Sequence, residues 1–137
     1  MRKIVPVILV MFLFSACSKN SNTQSGQANI IAHQWFANTV TINTVVDSCA
    51  EDDYFVFNSD GSGYKDNGIR YCDTESIKDY IFTYTLSPDN KTITLNNFTH
   101  PGKTVNVSVR ENDNNTLEIV YSLNSHLYDY VLKPTAK

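Results

Sequence analysis

The sequence predicts an all-β domain, an eight-stranded antiparallel up-and-down meander that closes into a barrel. From residue 30 onward Val, Ile, Thr, Tyr and Phe dominate, and no stretch has a convincing 3.6-residue period. Apolar residues recur instead with a period of two, in short runs separated by turn-forming sequences. Strands joined by short turns form a meander, and about eight of them close readily into a barrel without exposed edges.

Length and composition limit the classes of function. The chain has 137 residues, which is about one domain and excludes a large multidomain enzyme. Its formal net charge of −3 argues against a nucleic-acid-binding protein, which would carry a basic field. An aromatic content of 12% is too high for a disordered chain. We therefore expect one folded, monomeric domain that does not bind nucleic acid.

The N-terminus has the layout of a secretory signal peptide. The basic pair Arg2-Lys3 precedes an apolar run over residues 4–14, and the small residues Ser15-Ala16 precede Cys17. A transmembrane helix would need about 20 apolar residues, more than this run provides. We expect residues 1–16 to be removed during export.

The tetrapeptide Phe14-Ser15-Ala16-Cys17 resembles a bacterial lipobox. The resemblance implies a lipoprotein in which the Cys17 thiol and the new N-terminus carry acyl chains such as palmitate. Each buried CH₂ contributes about 0.8 kcal/mol, and two or more chains anchor a protein stably in membrane lipid. Ser18 rather than Asp follows the cysteine, which by resemblance to lipoprotein sorting implies the outer membrane, with the periplasmic face as default and surface exposure left open. Ordinary secretion with a stray cysteine is the alternative.

The mature chain divides into two predicted segments. Residues 17–32 are predicted to be the lipidated cysteine and a flexible tether, because residues 18–27 contain no apolar side chain. Residues 33–137 are predicted to form the barrel domain.

Eight alternating runs define the predicted strands. In chain order they are residues 35–46, 53–58, 62–66, 78–86, 91–97, 103–110, 116–123 and 127–133. The fourth run is typical of all, since it places one set of apolar side chains on a single face: Tyr80, Phe82, Tyr84 and Leu86. Between the runs, Asp60-Gly61 can supply the positive φ of a tight hairpin, and Pro88 stands where a type I turn favours proline. His100-Pro101-Gly102 and residues 112–115 form two further turns.

The order of several features resembles one known family. These are Trp35 in the first strand, Cys49 followed by acidic residues, an aromatic strand and the Asp60-Gly61 hairpin, then Cys72, Tyr84-Thr-Leu-Ser-Pro-Asp89 and Lys91-Thr-Ile-Thr-Leu95. Over residues 33–137 the chain resembles the lipocalin-like lipoproteins of Bacteroides-type bacteria. The resemblance implies a lipocalin-like barrel in the bacterial cell envelope, and it implies no particular ligand.

Cys49 and Cys72 remain once Cys17 is assigned to lipid. Because an exported chain enters an oxidising compartment, we predict a disulfide between them. Closing the loop of about 24 residues from Cys49 to Cys72 would stabilise the fold by roughly 3 kcal/mol in the chain-entropy model. A redox or metal pair would instead show Cys-x-x-Cys spacing or nearby histidines, and the sequence has neither.

The remaining polar groups predict neither a metal site nor an enzyme. Glu51-Asp52-Asp53 with Asp47 could supply calcium ligands, but the terminal Glu of a calcium loop is missing, so a solvated turn is favoured. The histidines are widely spaced and read as surface or loop residues: His33, His100 and His126. No nucleophile elbow and no phosphate-binding glycine loop is present, so we expect no enzymatic activity and no cofactor.

The aromatic side chains carry the remaining functional signal. An eight-stranded barrel has an interior just wide enough for side chains or for one small ligand. The candidates for lining a ligand cavity are Trp35, Tyr80, Phe82, Tyr84 and Tyr121. The first hypothesis is a membrane-anchored protein that binds a small hydrophobic or amphipathic ligand in the barrel. The alternative is a structural or protein-interaction module of the envelope, with a solid barrel and a protein partner.

Overall fold

The structure, a computed structural model, describes residues 27–70 and 79–135, and strands make up most of it. The strands are β1 (Gln34–Ile42), β2 (Val45–Val46), β3 (Tyr54–Phe57), β4 (Ser62–Asp66), β5 (Asp79–Leu86), β6 (Thr92–Asn96), β7 (Thr104–Asn112), β8 (Leu117–Leu123) and β9 (His126–Lys133). A short 3-10 helix, Cys49–Asp52, precedes β3. Residues 27–31 are helical. In the described part of the chain, no helix has the length and apolar character to cross a membrane.

The strands form a closed antiparallel barrel. From β3 to β9 each strand pairs with the next in the chain, and β1 pairs with both β3 and β9. The β1–β9 pairing closes the barrel, with Phe36 opposite Lys133 and Ile42 opposite Tyr128. The two-residue β2 lies outside this ring and pairs only with β1. The prediction of an all-β, eight-stranded up-and-down barrel is therefore confirmed.

One predicted strand is divided in the structure. Residues 35–46 were expected to form a single strand, but β1 ends at Ile42 and a turn leads into β2. Asn43 and Thr44 have φ of 51° and 70°, the left-handed backbone of a type I′ hairpin. The same two-residue geometry recurs between β8 and β9, where Asn124 and Ser125 have φ of 50° and 68°. Asparagine adopts this conformation more readily than most residues, which favours both turns.

The meander gives the barrel two distinct ends. At the end that we call the entry end, β1 begins, β9 ends, and the chain turns at residues 58–61, 87–91 and 113–116. At the opposite end, called the far end, β1 ends, β3 begins, and the chain turns at residues 97–103 and 124–125. Residues 27–31 lead into β1 and so approach the barrel from the entry end.

The barrel interior is the hydrophobic core. Along each strand, alternate side chains point inward and are buried, as in β6, where Ile93 and Leu95 alternate with polar residues. Gly63 on β4 occupies an inward, buried position. A Cβ at this position would lie 2.4 Å from the ring of Phe82. The missing side chain leaves room for that ring, so glycine is required by packing at this position.

Candidate functional site

The five side chains predicted to line a ligand cavity lie in the same interior. Trp35 comes from β1, Tyr121 from β8, and Tyr80, Phe82 and Tyr84 come from β5. Four of them are buried, with Trp35 at 0% and Phe82 at 1% exposure, and Tyr80 is partly buried against the same core. The structure therefore brings together the residues that strand alternation selected.

The entry end is closed by the helical residues 27–31. Ile30 is fully buried in the core, and its carbonyl oxygen accepts a hydrogen bond of 2.8 Å from Nε1 of Trp35. A buried indole N–H left without an acceptor would cost about 1–3 kcal/mol, so this bond fixes the indole against the end of the barrel. These residues belong to the segment 17–32 that was predicted as tether, and their contribution to the core was not anticipated from the sequence.

The far end is closed by Phe98, which sequence reasoning missed. Phe98 lies in the turn between β6 and β7, yet it is only 1% exposed. Its ring centroid lies 5.6 Å from that of Tyr80, 5.7 Å from that of Phe82 and 5.7 Å from that of Tyr121. Because β5 and β8 are not neighbours, a ring that contacts both fills the space between them. The available signal was a single large aromatic residue in an otherwise polar turn, Asn96-Asn97-Phe98-Thr99-His100.

Aromatic rings also contact one another between the two ends. Phe57 packs edge-to-face on Tyr84 at 5.2 Å, and Phe55 packs in the same way on Tyr130 at 5.4 Å. Tyr121 stacks on Tyr130 with centroids 6.0 Å apart. Such pairs contribute about 0.5–1.5 kcal/mol each beyond the burial of apolar area. The side chains selected as cavity lining are therefore packed on each other.

A polar cluster lies within this aromatic interior. Nζ of Lys65 is 2.7 Å from Oδ2 of Asp53 and also contacts Oδ1 of Asn67. The hydroxyl of Tyr130 donates a hydrogen bond of 2.9 Å to the same Asp53 oxygen. Lys65 and Asp53 are each 2% exposed. Nζ of Lys65 is also 5.6–5.9 Å from three ring centroids, those of Phe55, Tyr80 and Tyr130.

Strand pairing explains how a lysine enters the core. Lys65 lies opposite Phe55 in the β3–β4 register, so both side chains point inward. Asp53 immediately precedes β3, which puts its carboxylate near the inward-facing ammonium. Removing one member of such a buried pair costs about 3–5 kcal/mol because the other charge is left uncompensated. The sequence favours a solvated acidic turn for Asp53 and gives no local signal for Lys65, because their partnership depends on the register between two strands.

Two interior tyrosine hydroxyls are used by the protein itself. Besides Tyr130, the hydroxyl of Tyr84 donates a hydrogen bond of 2.8 Å to the carbonyl oxygen of Asn58. Burial raises the pKa of Tyr84, and the negative charge of Asp60 raises it further, so this hydroxyl keeps its proton. Both hydroxyls therefore bind groups of the protein itself, the Asp53 carboxylate and the backbone.

The segment around Cys49 is held against the chain that follows β4. The Asp52 carboxylate accepts hydrogen bonds from the backbone N–H of Ile69 (2.8 Å) and Arg70 (3.0 Å). The Arg70 guanidinium in turn donates to the carbonyl oxygen of Ser48 at 3.1 Å. Sγ of Cys49 lies 3.8 Å from the carbonyl oxygen of Arg70. Cys17 and Cys72 lie outside the described residues, so the lipid attachment and the disulfide stay predictions.

The acidic residues near Cys49 accept hydrogen bonds from the chain rather than converging on one point. Asp47 accepts from the backbone N–H of Cys49 at 3.0 Å, Asp52 binds residues 69 and 70, and Asp53 is buried with Lys65. Within residues 27–70 and 79–135, no group of three or more His, Cys, Asp or Glu side chains could hold a metal ion. Of the histidines, His126 lies at the far end of the barrel, where its Nδ1 is 3.0 Å from the side-chain Nδ2 of Asn43.

A shallow groove of about 390 Å³ lies on the outer face of β7 and β8. Its lining is largely polar and includes Thr104, Asn106 and Ser108 from β7 and Ser122 from β8, with Leu127 at one side. None of the five predicted lining residues except Tyr121 contributes to it. The groove is therefore a feature of the outer surface, separate from the packed interior.

Comparison with known proteins identifies no relative for this chain. No family model matches it, and neither a curated protein nor a solved structure matches it. The resemblance to lipocalin-like lipoproteins therefore stays a prediction, and the barrel is established by strand pairing alone.

Proposed function

We propose that this protein is a lipid-anchored envelope protein whose solid barrel presents its far end to a protein partner. The observation that carries the proposal is the packed aromatic interior. Ile30 closes one end, Phe98 closes the other, and the rings between them contact one another. To hold a small hydrophobic ligand, the competing function, the barrel would have to separate these rings and lose their contacts.

Exposed apolar side chains at the far end support a protein partner. Ile69 is 93% exposed, Val45 is 69% exposed and Val46 is 63% exposed. Val45 and Val46 form β2, which extends from the far end of β1, and Ile69 is held beside the 3-10 helix by Asp52. Adjacent exposed apolar side chains, such as Val45 and Val46, are typical of interaction sites.

The position of the tether supports the same arrangement. The chain reaches the barrel from the entry end, so an acylated Cys17 would place that end toward the membrane. If residues 18–26 form the predicted tether, these nine residues would have a root-mean-square reach of about 16 Å. The far end, with its exposed apolar residues, would then face away from the lipid. We propose the periplasmic face of the outer membrane as the location.

A disulfide between Cys49 and Cys72 completes the proposal. Cys49 lies beside the carbonyl group of Arg70, two residues before Cys72 in the chain. A bond at this point would add a covalent link to the hydrogen bonds that Asp52 makes with the same segment. Peptide mapping without reduction should give a linked pair of peptides that separates on reduction.

The anchor is tested by metabolic labelling with an alkyne analogue of palmitate in a bacterial host that processes lipoproteins. The wild-type protein should carry the label and remain with the membrane fraction. The Cys17→Ser variant should lose both properties, while Cys49→Ser should keep the label. An unlabelled wild-type product would contradict the anchor.

The solid barrel is tested by native mass spectrometry of the protein isolated from its own cells. We expect the mass of the processed chain with its acyl groups and no further small molecule. A stoichiometric hydrophobic ligand that is lost on denaturation would contradict this and favour a ligand carrier.

The far-end surface is tested by crosslinking in intact cells. Ile69→Ser should abolish the crosslink to a specific envelope protein. Ile81→Ser is the matched control, because Ile81 is also exposed (78%) but lies on the outer face of β5. Equal loss in both variants, or in neither, would contradict a far-end site.

A further inference from the structure

Three groups in the barrel interior form an amine, carboxamide and carboxylate triad. Nζ of Lys65 contacts Oδ1 of Asn67 and lies 2.7 Å from Oδ2 of Asp53. Lys65 and Asn67 are two residues apart, so both side chains point to the same side of the chain, and both are buried. The amine therefore touches the carboxamide group at the same time as it touches an acid.

The surroundings favour reaction of the amine. Lys65 is enclosed by the rings of Phe55, Tyr80 and Tyr130, which keep bulk water away from it. A lysine in such an apolar site can act as a nucleophile once it is neutral, and Asp53 is placed to take its proton. Fixing two reacting groups in contact replaces a collision with an intramolecular step, which accelerates reactions strongly.

We propose that Lys65 and Asn67 form an intramolecular isopeptide bond, with Asp53 as the catalytic residue that transfers the proton. Lys65 first passes one proton to Asp53, which leaves a neutral amine and a carboxylic acid. Nζ then attacks Cγ of Asn67 while the acid protonates Oδ1. Asp53 then carries one proton from Nζ to Nδ2, and the Cγ–Nδ2 bond breaks as one molecule of ammonia leaves. The proton on Oδ1 returns to Asp53 as the Cγ–Oδ1 double bond re-forms. The product is a neutral amide beside a protonated Asp53.

The product removes an unfavourable feature of the unreacted site. A buried ion pair must overcome the cost of taking two charges out of water, and neutral groups of similar shape are often as stable or more stable. The amide and the protonated carboxyl group are both neutral, and the carboxyl group can still accept the hydrogen bond of Tyr130. This inference concerns the barrel interior and does not depend on the proposed anchor or partner.

One competing reaction at the same residue also releases ammonia. The backbone nitrogen of Gly68 could attack Asn67 to form a succinimide, since Asn-Gly sequences lack a side chain that hinders the attack. In the structure, however, the N–H of Gly68 donates to Oδ1 of Asp66 at 2.7 Å, whereas Nζ of Lys65 contacts the Asn67 carboxamide. The geometry therefore favours Lys65, and the experiment must separate the two products.

Tryptic peptide mapping of the reduced, denatured full chain makes this distinction. Trypsin does not cleave after an acylated lysine, so the isopeptide bond keeps residues 66–70 joined to the preceding peptide, with the mass of one ammonia missing. We expect this joined peptide to replace free 66–70. Free 66–70 would overturn the proposal whether it is unmodified or carries the mass of a succinimide or an aspartate.

Two variants test the assigned roles. Asp53→Asn should restore the free 66–70 peptide, whereas Asp66→Asn, the same change at the residue after Lys65 on β4, should leave the joined peptide in place. Persistence of the joined peptide in Asp53→Asn would overturn the role of Asp53. If that variant does not fold, Lys65→Arg provides the second test, because it keeps a tryptic site and a buried cation but cannot form the bond. The wild-type digest decides the existence of the bond in either case.

Discussion

Phe98 closes the far end of the barrel, and its removal is the sharpest test of the solid interior. The ring is 1% exposed and contacts Tyr80, Phe82 and Tyr121. Phe98→Ala deletes this ring without touching any strand hydrogen bond, because the residue lies in the turn between β6 and β7. The variant should therefore fold as a barrel with a cavity at its far end.

The expected cost follows from burial and from the ring contacts. Truncating a buried Phe to Ala typically destabilises a protein by about 3–5 kcal/mol, the sum of lost transfer free energy and the cavity that remains. Three edge or tilted aromatic contacts of about 0.5–1.5 kcal/mol each are part of this loss. Because a turn can relax partly toward the vacated space without filling it, we expect a value near the lower limit, about 3 kcal/mol.

Urea denaturation measures this loss as a lower midpoint at an unchanged slope. Ile81→Ala is the control, since an exposed side chain should change the free energy of unfolding by no more than about 0.5 kcal/mol. The same two variants can be tested with a small apolar ligand such as benzene, which enters dry engineered cavities. Binding should appear in Phe98→Ala and be absent from the wild-type protein and from Ile81→Ala.

Two results would refute this reasoning. A loss of less than about 1 kcal/mol in Phe98→Ala would mean that the ring does not fill the far end of the core. Binding of benzene by the wild-type protein as strong as by the variant would mean that a cavity already exists. Either result would return the small-ligand hypothesis to first place.

Of three further predictions, two concern interior residues and the third concerns the turn before β4. In protein whose Lys65 amine is free, Lys65→Met should lower the free energy of unfolding by about 3–5 kcal/mol, because it leaves the buried Asp53 charge unpaired. In a denaturation double-mutant cycle, adding Asp53→Asn should cost less than the sum of the single changes, and additive costs would contradict the buried pairing. Gly63→Ala should cost about 1–3 kcal/mol by urea denaturation, because the new Cβ would lie 2.4 Å from the Phe82 ring; an unchanged midpoint would show that the ring can move away. Hydrogen bonds in the turn before β4 lower the pKa of Asp60 below 3.8, so its stabilisation is present above that pH and is lost as the pH falls through the lowered value. Melting curves of wild type and Asp60→Asn should therefore converge on acidification, and a constant difference would contradict the assignment.

Sequence reasoning succeeded where local pattern determines structure. The alternation in β5 selected Phe82 and Tyr84 correctly as interior residues, and the succession of short turns predicted a meander that closes. Each of these inferences uses residues that are close in the chain. The division of the first run at Asn43 was missed because its left-handed turn interrupts an otherwise uniform β-forming sequence.

The missed features depend on residues that meet only in the folded barrel. Phe98 and Ile30 lie outside the strands, so strand alternation does not show that they enter the two ends of the interior. The pairing of Lys65 with Asp53 and Tyr130 joins three positions from different parts of the chain. A lysine in a short polar run reads as a surface residue until the strand register fixes its direction.

The closing pair of strands has a consequence for how the protein reaches its folded state. Every other ladder in the ring joins strands that follow one another closely, but Phe36 must find Lys133 near the opposite end of the chain. Distant pairings of this kind slow folding, because the intervening chain must be ordered first. If the chain is exported from its N-terminus, β1 is the first strand to emerge and waits with one edge unpaired until β9 has followed. In that case β1 would be an open template for aggregation during the interval, and delivery of the barrel would require either rapid transit or a chaperone that covers this strand.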